Sequence, residues 1–438
     1  MRLVSEAQIA ELAESLSGHT GFRMASVATA NDAFDFARTG AALVDRAVAF
    51  SSPHGMRLAG LGTAWRASAS GPNRFQDLKA ALSELSGTGI KAFVGFSFLE
   101  EPGSGPVWNG FSPAEAFVPR IGIEGTDSGA IITVVVPDGD SADQTLELLA
   151  SMRTPEWSTG IDLGDHATEA HPPVAVWKGQ VESALKEIDG GEVTKVVLAR
   201  SVLVRSAEPP AILRMFRELV RSYPQCFNFA WKSGDAVFMG ASPELLASVE
   251  SGHFRSNPLA GSAPRGEGSE EDEVIGTTLL SSEKDRREHE LVVTDMTERL
   301  APLLSDVSAS REPSLKKMAS VQHLSTEIHG TVLPGVGLLD AIDAVHPTPA
   351  VGGVPRQGAI DLIGRTEDID RGWYTGGLGW IDAEGDGAVA IGLRCGLVRG
   401  TTTHLFAGAG IVEGSRPELE LEETRLKFAP LLRLLTAS

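Results

Sequence analysis

One stretch near the C-terminus combines residue types that can bind an anion and a metal ion. It opens with Gly408 and Gly410, whose missing side chains let backbone N–H groups approach a ligand closely. On the acidic helix start that follows, Glu420, Glu423 and Lys427 share one face. Two carboxylates and a cation so placed could hold a metal-bound anion. The alternative is that the helix dipole favours these glutamates and that Glu423 and Lys427 form an ordinary surface pair.

A second pair of carboxylates, Asp285 and Glu288, has the i, i+3 spacing of one helix face. Magnesium takes carboxylate oxygens and keeps waters that a substrate can displace, so the pair suits a hard-cation site. The alternative is a solvated charged face, which most such runs are. His289, beside Glu288, is compatible with a core histidine and is not assigned as a ligand.

Two further residues could move protons. Lys195 lies in the strand-like run Val193–Val204 and is either an edge lysine or one held in a site. Burial lowers the pKa of lysines in general and makes them usable bases. Glu244 lies in a turn between two apolar runs, where it either caps local N–H groups or is a semi-buried acid. A semi-buried acid with a raised pKa can protonate a leaving group.

Donors suited to a carboxylate ligand occur in two other segments. Gly261 and Ser262 lie in a glycine-containing turn after a strand and can offer N–H and O–H groups, although a plain loop is the alternative. Arg394, in the predicted strand Ile391–Gly396, is suited to bidentate carboxylate binding. The sequence contains no strand–helix glycine motif for dinucleotides, no phosphate-binding loop and no zinc spacing, which disfavours nucleotide and zinc chemistry.

The elements that must position these residues are helices and strands in irregular order. This order predicts an α+β fold with large, mostly antiparallel sheets. The predicted helices are Ser5–Leu16, Val174–Ile188, Pro210–Ser222, Glu271–Leu304 and Pro417–Leu435. The clearest predicted strands are Ala92–Leu99, Ala116–Ile123, Ala130–Val136, Val193–Val204, Trp373–Ile381, Ala388–Val398 and Thr403–Val412. The polar segment Thr154–Pro173 is predicted to be a connection.

Composition limits the possible partners. The 438 residues carry a net charge of −20, which argues against nucleic acid or an anionic membrane as a partner. Two cysteines cannot make a disulfide framework, and no apolar run has the length of a membrane span or a signal segment. We therefore expect a cytoplasmic protein that acts on a small molecule.

Six motifs, in order from about residue 173 to residue 435, resemble those of the chorismate-utilising enzymes. This family includes isochorismate synthase, salicylate synthase, anthranilate synthase component I and aminodeoxychorismate synthase. Before residue 173, Ala92–Phe98 is the main likeness. The resemblance implies one large α+β unit, in which residues 1–165 form a variable N-terminal portion and residues 173–436 the catalytic region.

The resemblance also implies a role for each candidate residue. Glu288 and Glu423 would coordinate Mg²⁺, and Asp285 and Glu420 would act mainly through water. Lys195 would be the base that activates water. The proton donor to the departing C4 hydroxyl would be Glu244, with His323 near that hydroxyl. The ring carboxylate of chorismate would bind the metal, Gly261, Ser262 and Lys427, and the enolpyruvyl carboxylate would bind Tyr374, Arg394, Gly408 and Gly410.

Five positions distinguish between members of the family. Ammonia-using relatives carry glutamine where Lys195 stands, and a lysine suits water as the nucleophile. Common aminodeoxychorismate synthases carry a lysine in place of Ala260, and salicylate synthases tend to carry a threonine in place of Ala350. Ser262 and Ala263 stand where aminating relatives usually have threonine and arginine. These differences favour a hydrating enzyme that stops at isochorismate.

We therefore expect a Mg²⁺-dependent isochorismate synthase that adds water at C2 of chorismate and loses the C4 hydroxyl. The motif His346–Pro355 favours the menaquinone pathway over a siderophore pathway. Salicylate synthase is the alternative enzyme, and a chorismate-binding pseudo-enzyme or an amidotransferase-dependent subunit is the alternative of another class. We expect a monomer or a homodimer without an amidotransferase partner.

Overall fold

The computed structural model of the chain describes residues 2–17, 22–101, 103, 105–126, 129–154, 165–319 and 321–436. Eleven α-helices lie in these ranges: α1 (Glu6–Leu16), α2 (Ala33–Gly40), α3 (Arg74–Leu82), α4 (Asp143–Ser151), α5 (Val174–Asp189), α6 (Ile212–Ser222), α7 (Ser269–Ser281), α8 (Glu283–Leu300), α9 (Leu338–Val345), α10 (Arg356–Thr366) and α11 (Pro417–Thr436). Single-turn 3-10 helices occupy Ala41–Leu43, Ser83–Leu85 and Pro106–Trp108.

The strands of the described ranges come in groups between these helices. Those before residue 165 are β1 (Arg23–Thr29), β2 (Arg46–Ser51), β3 (Arg57–Leu61), β4 (Trp65–Ala69), β5 (Lys91–Phe96), β6 (Ala114–Val118), β7 (Ile121–Thr126) and β8 (Gly129–Val136). Those between residues 165 and 265 are β9 (His166–His171), β10 (Lys195–Ser206), β11 (Phe227–Ser233), β12 (Ala236–Ser242), β13 (Leu245–Glu250), β14 (His253–Asn257) and β15 (Leu259–Pro264). The remaining strands are β16 (Ser308–Ala309), β17 (Ser314–Lys317), β18 (Val321–Ser325), β19 (Ile328–Thr331), β20 (Gly353–Val354), β21 (Gly377–Asp382), β22 (Gly387–Ile391), β23 (Cys395–Arg399) and β24 (Thr402–Val412).

These strands form two large antiparallel sheets and a small one. The first runs β1-β8-β7-β3-β2-β11-β12-β23-β24-β10-β20, with β9 also on β10, and the second runs β16-β19-β14-β13-β22-β21-β5-β6-β4. A three-stranded sheet, β15-β18-β17, stands beside them. Strands that precede residue 165 pair with later strands in both large sheets, for example β2 with β11 and β5 with β21.

Aromatic side chains fill the space between the two large sheets. Trp231 of the first sheet packs edge-on against Phe117 of the second, with ring centroids 5.1 Å apart, and against Trp373 at 5.0 Å. Helices bury their apolar faces on the outside of the first sheet: Leu12 and Leu16 of α1 are both buried there, as their spacing predicts. This arrangement confirms the predicted α+β class.

Three predicted elements are wrong in detail. The predicted strand Ala116–Ile123 is two strands in different sheets, because the chain turns at Pro119 and Arg120. The predicted helix Glu271–Leu304 is two helices, since the Ser282 hydroxyl accepts a bond from Asp285 N–H and starts α8 anew. The run Ala388–Val398 is likewise interrupted before β23.

The predicted connection Thr154–Pro173 is wrong in part, since it contains β9, which pairs with β10. Residues 155–164 of it lie outside the described ranges. Within those ranges, no helix has both the length and the apolar character needed to cross a bilayer.

Candidate active site

A cavity lies where β10 and β24, the three-stranded sheet, α8 and α11 meet. Twelve of the fifteen predicted site residues line it: Glu244, Gly261, Ser262, Glu288, His323, Ala350, Tyr374, Arg394, Gly408, Gly410, Glu423 and Lys427. The other three, Lys195, Asp285 and Glu420, stand behind this wall. The fold therefore brings together residues that are up to 183 positions apart in the sequence, from Glu244 to Lys427.

Lys195 is the first residue of β10 and is 1% exposed. It lies opposite Val354 of β20 on one side and Val412 of β24 on the other, so it is not an edge lysine. Its ammonium Nζ lies 2.9 Å from Oε1 of Glu288. Because Glu288 lines the cavity, Lys195 stands directly behind a carboxylate that faces the ligand space.

Gly410 makes room for this ion pair. A Cβ atom at position 410 would lie 2.5 Å from Oε1 of Glu288 and 3.3 Å from Cε of Lys195. Both distances are shorter than ordinary van der Waals contact, so a side chain there would displace the carboxylate. The glycine is thus required by the close approach of Glu288 and not by an unusual backbone angle.

Glu244 is a buried carboxyl, 3% exposed, at the junction of β12 and β13. Burial raises its pKa to about 7, and the raise is partly opposed by the N–H of Leu259 and by the charges of Lys316, Lys195 and Arg394. The Leu259 N–H donates to Oε1 at 3.3 Å. The carboxyl is therefore buried, and the N–H it accepts from is fifteen residues away and not a local N–H of its own turn, so Glu244 can hold a proton near neutral pH.

His323 is a neutral histidine that is hydrogen-bonded to two cavity residues. Its Nδ1 lies 2.9 Å from Oγ of Ser262, and its Nε2 lies 3.1 Å from Nη2 of Arg394. A guanidinium can only donate, so Nε2 accepts and the proton is on Nδ1, which donates to the serine hydroxyl. Burial and the positive charges of Arg394 and Lys427 hold the pKa of His323 well below its usual value.

Arg394 lies in the break between β22 and β23. The sequence had predicted a position inside a strand, and this prediction is wrong. Its φ of 48° is in the left-handed region that ordinary residues seldom adopt. Burial lowers the pKa of its guanidinium. Gly261 also has a positive φ, 72°, and forms a bulge inside β15, where the sequence predicted a turn.

Tyr374 and Gly408 also line the cavity. The Tyr374 ring stacks on Phe406 with centroids 5.4 Å apart, and burial raises the pKa of its phenol, which stays protonated as a donor. A Cβ at position 408 would lie 2.9 Å from the phenol oxygen, so the missing side chain of Gly408 leaves room for that oxygen. Ala350 adds a methyl group to the cavity wall.

Three of the four predicted metal ligands pair with lysines. Besides the Lys195–Glu288 pair, Oε1 of Glu423 lies 2.5 Å from Nζ of Lys427, and Oε1 of Glu420 lies 3.4 Å from Nζ of Lys284. The Glu423–Lys427 pair is therefore the predicted i, i+4 pair, but it stands at the cavity wall and not on an open surface. Lys427 also donates to the Gly408 carbonyl at 2.9 Å.

The fourth predicted ligand, Asp285, accepts a hydrogen bond from the Ser282 hydroxyl. Its pKa is raised by burial and by the charges of Glu288 and Glu423, and the pKa of Glu420 is raised for similar reasons. Carboxylates that repel one another at partly buried positions have the donor chemistry of a hard-cation site. Among the described residues, however, no three acidic, histidine or cysteine side chains are grouped closely enough to hold an ion.

His289 is a core histidine, as the sequence analysis allowed. It is buried, and its Nε2 is hydrogen-bonded to Oγ1 of Thr326 at 2.8 Å. Burial lowers its pKa to about 4.

Behind the cavity, Arg371 and Glu367 form a buried ion pair that no sequence motif predicted. Nη2 of Arg371 donates to the Val197 carbonyl at 2.7 Å, and Nη1 donates to the Val351 carbonyl at 2.9 Å. Glu367 accepts from the Ala199 N–H at 2.7 Å. The pair thus joins β10 to the segment that carries Ala350. Its only signal in the sequence is the i, i+4 spacing, in a segment that contains no recognisable helix pattern.

Comparison with known proteins defines the class. The family model described as "Chorismate binding enzyme" matches residues 10–436, and the chain belongs to this family. The resemblance inferred from the six motifs is confirmed.

Among curated relatives, the chain is similar to isochorismate synthase MenF of Bacillus subtilis, at 37% identity over 357 residues that cover 80% of this chain and 75% of the relative. It is also similar to the salicylate biosynthesis isochorismate synthase of Pseudomonas aeruginosa, at 39% identity over 60% of this chain. In that comparison the match spans 55% of the relative's length.

Two solved structures share the architecture. MenF, the menaquinone-specific isochorismate synthase from Escherichia coli, has a TM-score of 0.87 and 25% identity, and the match covers 98% of this chain and 99% of that chain. Anthranilate synthase component I from Streptococcus pneumoniae has a TM-score of 0.71 and 24% identity, over 86% and 92% of the two chains. The second likeness establishes the fold alone.

Proposed function

We propose that this chain is an isochorismate synthase that converts chorismate to isochorismate in a Mg²⁺-dependent, reversible isomerisation. The observation that carries the proposal is the pair of proton-handling groups at one cavity, one in its wall and one behind it. A buried lysine stands behind one wall, and Glu244, a buried carboxyl with a pKa of about 7, lies in another. The names of the curated relatives, both isochorismate synthases, support the same assignment.

In this proposal Lys195, as the neutral amine, accepts a proton from water while the water oxygen bonds to C2 of the ring. The ring double bonds shift, and the C4–O bond breaks. Glu244 gives its proton to the departing C4 hydroxyl, which leaves as water. One water enters and one leaves, so product and substrate are isomers. Each proton transfer by a positioned group of this kind contributes about 10²- to 10⁴-fold in rate.

The remaining cavity residues bind and orient the substrate. Arg394 and the Tyr374 phenol are donors suited to one carboxylate, and Gly408 and Gly410 leave space beside them. Gly261 and Ser262 also line the cavity and suit the other carboxylate. Because His323 donates to Ser262, the serine hydroxyl is free to give its own proton to the ligand.

Glu288 and Glu423 are the residues that would hold Mg²⁺, with Asp285 and Glu420 acting through water. When bound, the ion would neutralise and orient the ring carboxylate, a contribution of charge stabilisation and positioning. Repulsion among these carboxylates contributes to the raised pKa values of Asp285 and Glu420, and a bound cation would relieve it.

We infer the menaquinone pathway over a siderophore pathway, supported by the MenF relatives from Bacillus subtilis and Escherichia coli. The relative from Pseudomonas aeruginosa, named for salicylate biosynthesis, supports the alternative pathway. Within the cavity, the methyl group of Ala350 favours an enzyme that stops at isochorismate over a salicylate synthase.

The test is to incubate the purified chain with chorismate and Mg²⁺, without ammonia, and to separate the products by chromatography. Isochorismate without pyruvate, lost on adding EDTA, is the expected result. Salicylate with pyruvate would assign the chain to the lyase branch. Binding of chorismate without turnover would identify a binding protein or a subunit that lacks its partner.

A further inference from the structure

A lysine that no motif singled out lies beside the proposed proton donor. In the three-stranded sheet, Ser262 of β15 pairs with His323 of β18, and His323 pairs with Lys316 of β17. Directly paired residues project to the same face of a sheet, so these three side chains form one row. Ser262 and His323 line the cavity, and Lys316 stands at the far end of the row.

Lys316 reaches from this row to the segment that carries Glu244. Its Nζ donates to the carbonyl of Pro243 at 2.7 Å. Pro243 immediately precedes Glu244, and both residues line the cavity. The ammonium is therefore tied to the turn that sets the position of the buried carboxyl.

We propose that Lys316 is a positioning residue for Glu244, holding the Pro243–Glu244 turn against the cavity and maintaining a positive charge beside the buried carboxyl. Its catalytic consequence rests on the proposed function, whereas its effect on the proton affinity of Glu244 does not. The two can therefore be measured separately.

Three cations act on Glu244 from three different elements. Lys316 approaches from β17, Lys195 from the start of β10 and Arg394 from the break between β22 and β23. The N–H of Leu259 in β15 adds a hydrogen bond at 3.3 Å. All four oppose the rise in the pKa of Glu244 that burial causes. Of the three charges, Lys316 has the largest effect on this pKa.

Lys316 is the cation whose removal tests this idea most cleanly. Lys195 and Arg394 are predicted to act on the substrate, so a change at either would also disturb the chemistry. Lys316 does not line the cavity, and its own pKa is lowered by burial and raised again by Cys226, Glu244 and Glu327. Lys316 also lowers the pKa of the neighbouring His323, and a titration of Glu244 itself isolates the effect on that carboxyl.

Two measurements on the full chain separate the effect of the Lys316 charge on Glu244 from its effect on catalysis. The protonation of Glu244 is followed by infrared difference titration, with Glu244→Gln as the subtraction reference. In parallel, kcat/KM for chorismate is measured against pH. For Lys316→Gln we expect the midpoint of Glu244 to move upward by about one pH unit, as loss of a nearby opposite charge predicts. The alkaline limb of the activity profile should move with it.

Lys316→Arg, which keeps the charge, should restore the wild-type midpoint. Lys317→Gln is the matched control, because Lys317 is the adjacent residue in β17, projects to the other face and pairs with Asp272 at 2.7 Å. Removing that charge should leave the Glu244 midpoint unchanged. If Lys316→Gln does not fold, Lys316→Met, which keeps the apolar stem, takes its place.

An unchanged Glu244 midpoint in a folded variant without the Lys316 charge would overturn the proposal, and so would an equal shift in Lys317→Gln. A shifted midpoint with an unmoved activity profile would leave the charge effect of Lys316 intact. In that case the role of Glu244 as proton donor, and with it that part of the proposed function, would be wrong.

Discussion

Nζ of Lys195 and Oε1 of Glu288 form an ion pair 2.9 Å long, buried between β10 and α8. The pair links the proposed base to a proposed metal ligand. Glu288 is also one of the residues that would hold Mg²⁺. One carboxylate is therefore shared between the proposed base and the proposed metal site, and the two proposed roles are coupled.

Replacing the proposed base should abolish hydration. We expect Lys195→Gln to lower kcat by about 10²- to 10⁴-fold, because a general base contributes that much and glutamine cannot accept the proton. Chorismate binding, measured by calorimetry, should remain. Near wild-type turnover in this variant would remove Lys195 from the mechanism. The same variant should bind Mg²⁺ more tightly, since Glu288 loses its competing cation.

Removing the carboxylate of Glu423 should weaken Mg²⁺ activation. In Glu423→Gln we expect the Mg²⁺ concentration for half-maximal activity to rise by about tenfold or more. Glu422→Gln is the control, because Glu422 is exposed and pairs with Arg425 on the outer side of α11. Equal magnesium titrations for the two variants would exclude Glu423 from the metal site.

The pH profile should report the protonation of Glu244. The proposed donor must carry its proton, and burial raises the pKa of Glu244 to about 7. Activity should therefore be retained below pH 7 on this limb and should fall about tenfold per pH unit above it. Glu244→Gln should remove both the limb and most of the activity. A profile that stays flat well above neutral pH would contradict the assignment.

Filling the space at Gly410 should harm catalysis more than stability. In Gly410→Ala the new Cβ would meet Oε1 of Glu288 at 2.5 Å and displace the Lys195 pair, so kcat should fall by up to about a hundredfold. Gly179→Ala in α5 is the control, since a Cβ there meets nothing within 4 Å. Comparable kcat values for the two variants would show that the carboxylate tolerates displacement.

Breaking the ion pair behind the cavity should destabilise the fold. In Arg371→Met the buried Glu367 is left unpaired, and loss of one partner of a buried pair costs about 3–5 kcal/mol in the free energy of unfolding. Urea denaturation measures the change. Arg365→Met, which removes an exposed partner of Glu187, should cost less than about 1 kcal/mol. Similar losses in both variants would argue against a special role for the buried pair.

Local patterns were sufficient to find most of the candidate site. The i, i+3 and i, i+4 spacings identified Asp285, Glu288 and Lys427, and glycine motifs identified Gly408 and Gly410. Spacing of this kind is a property of one helix or strand, so the sequence expresses it directly. Where the chain leaves regular structure, the prediction failed: the strand expected around Arg394 is broken by a residue with positive φ.

The sequence by itself determined the family, the α+β class and the residues that approach the cavity, because each depends on residue types within short segments. Only the tertiary structure decided that Lys195 pairs with Glu288, that Glu244 is buried beside Lys316, and that Arg371 joins β10 to a distant segment. These relationships depend on the strand order and on helix packing. Burial and partners, which set proton affinity, are properties of the packed chain and are not encoded in local spacing.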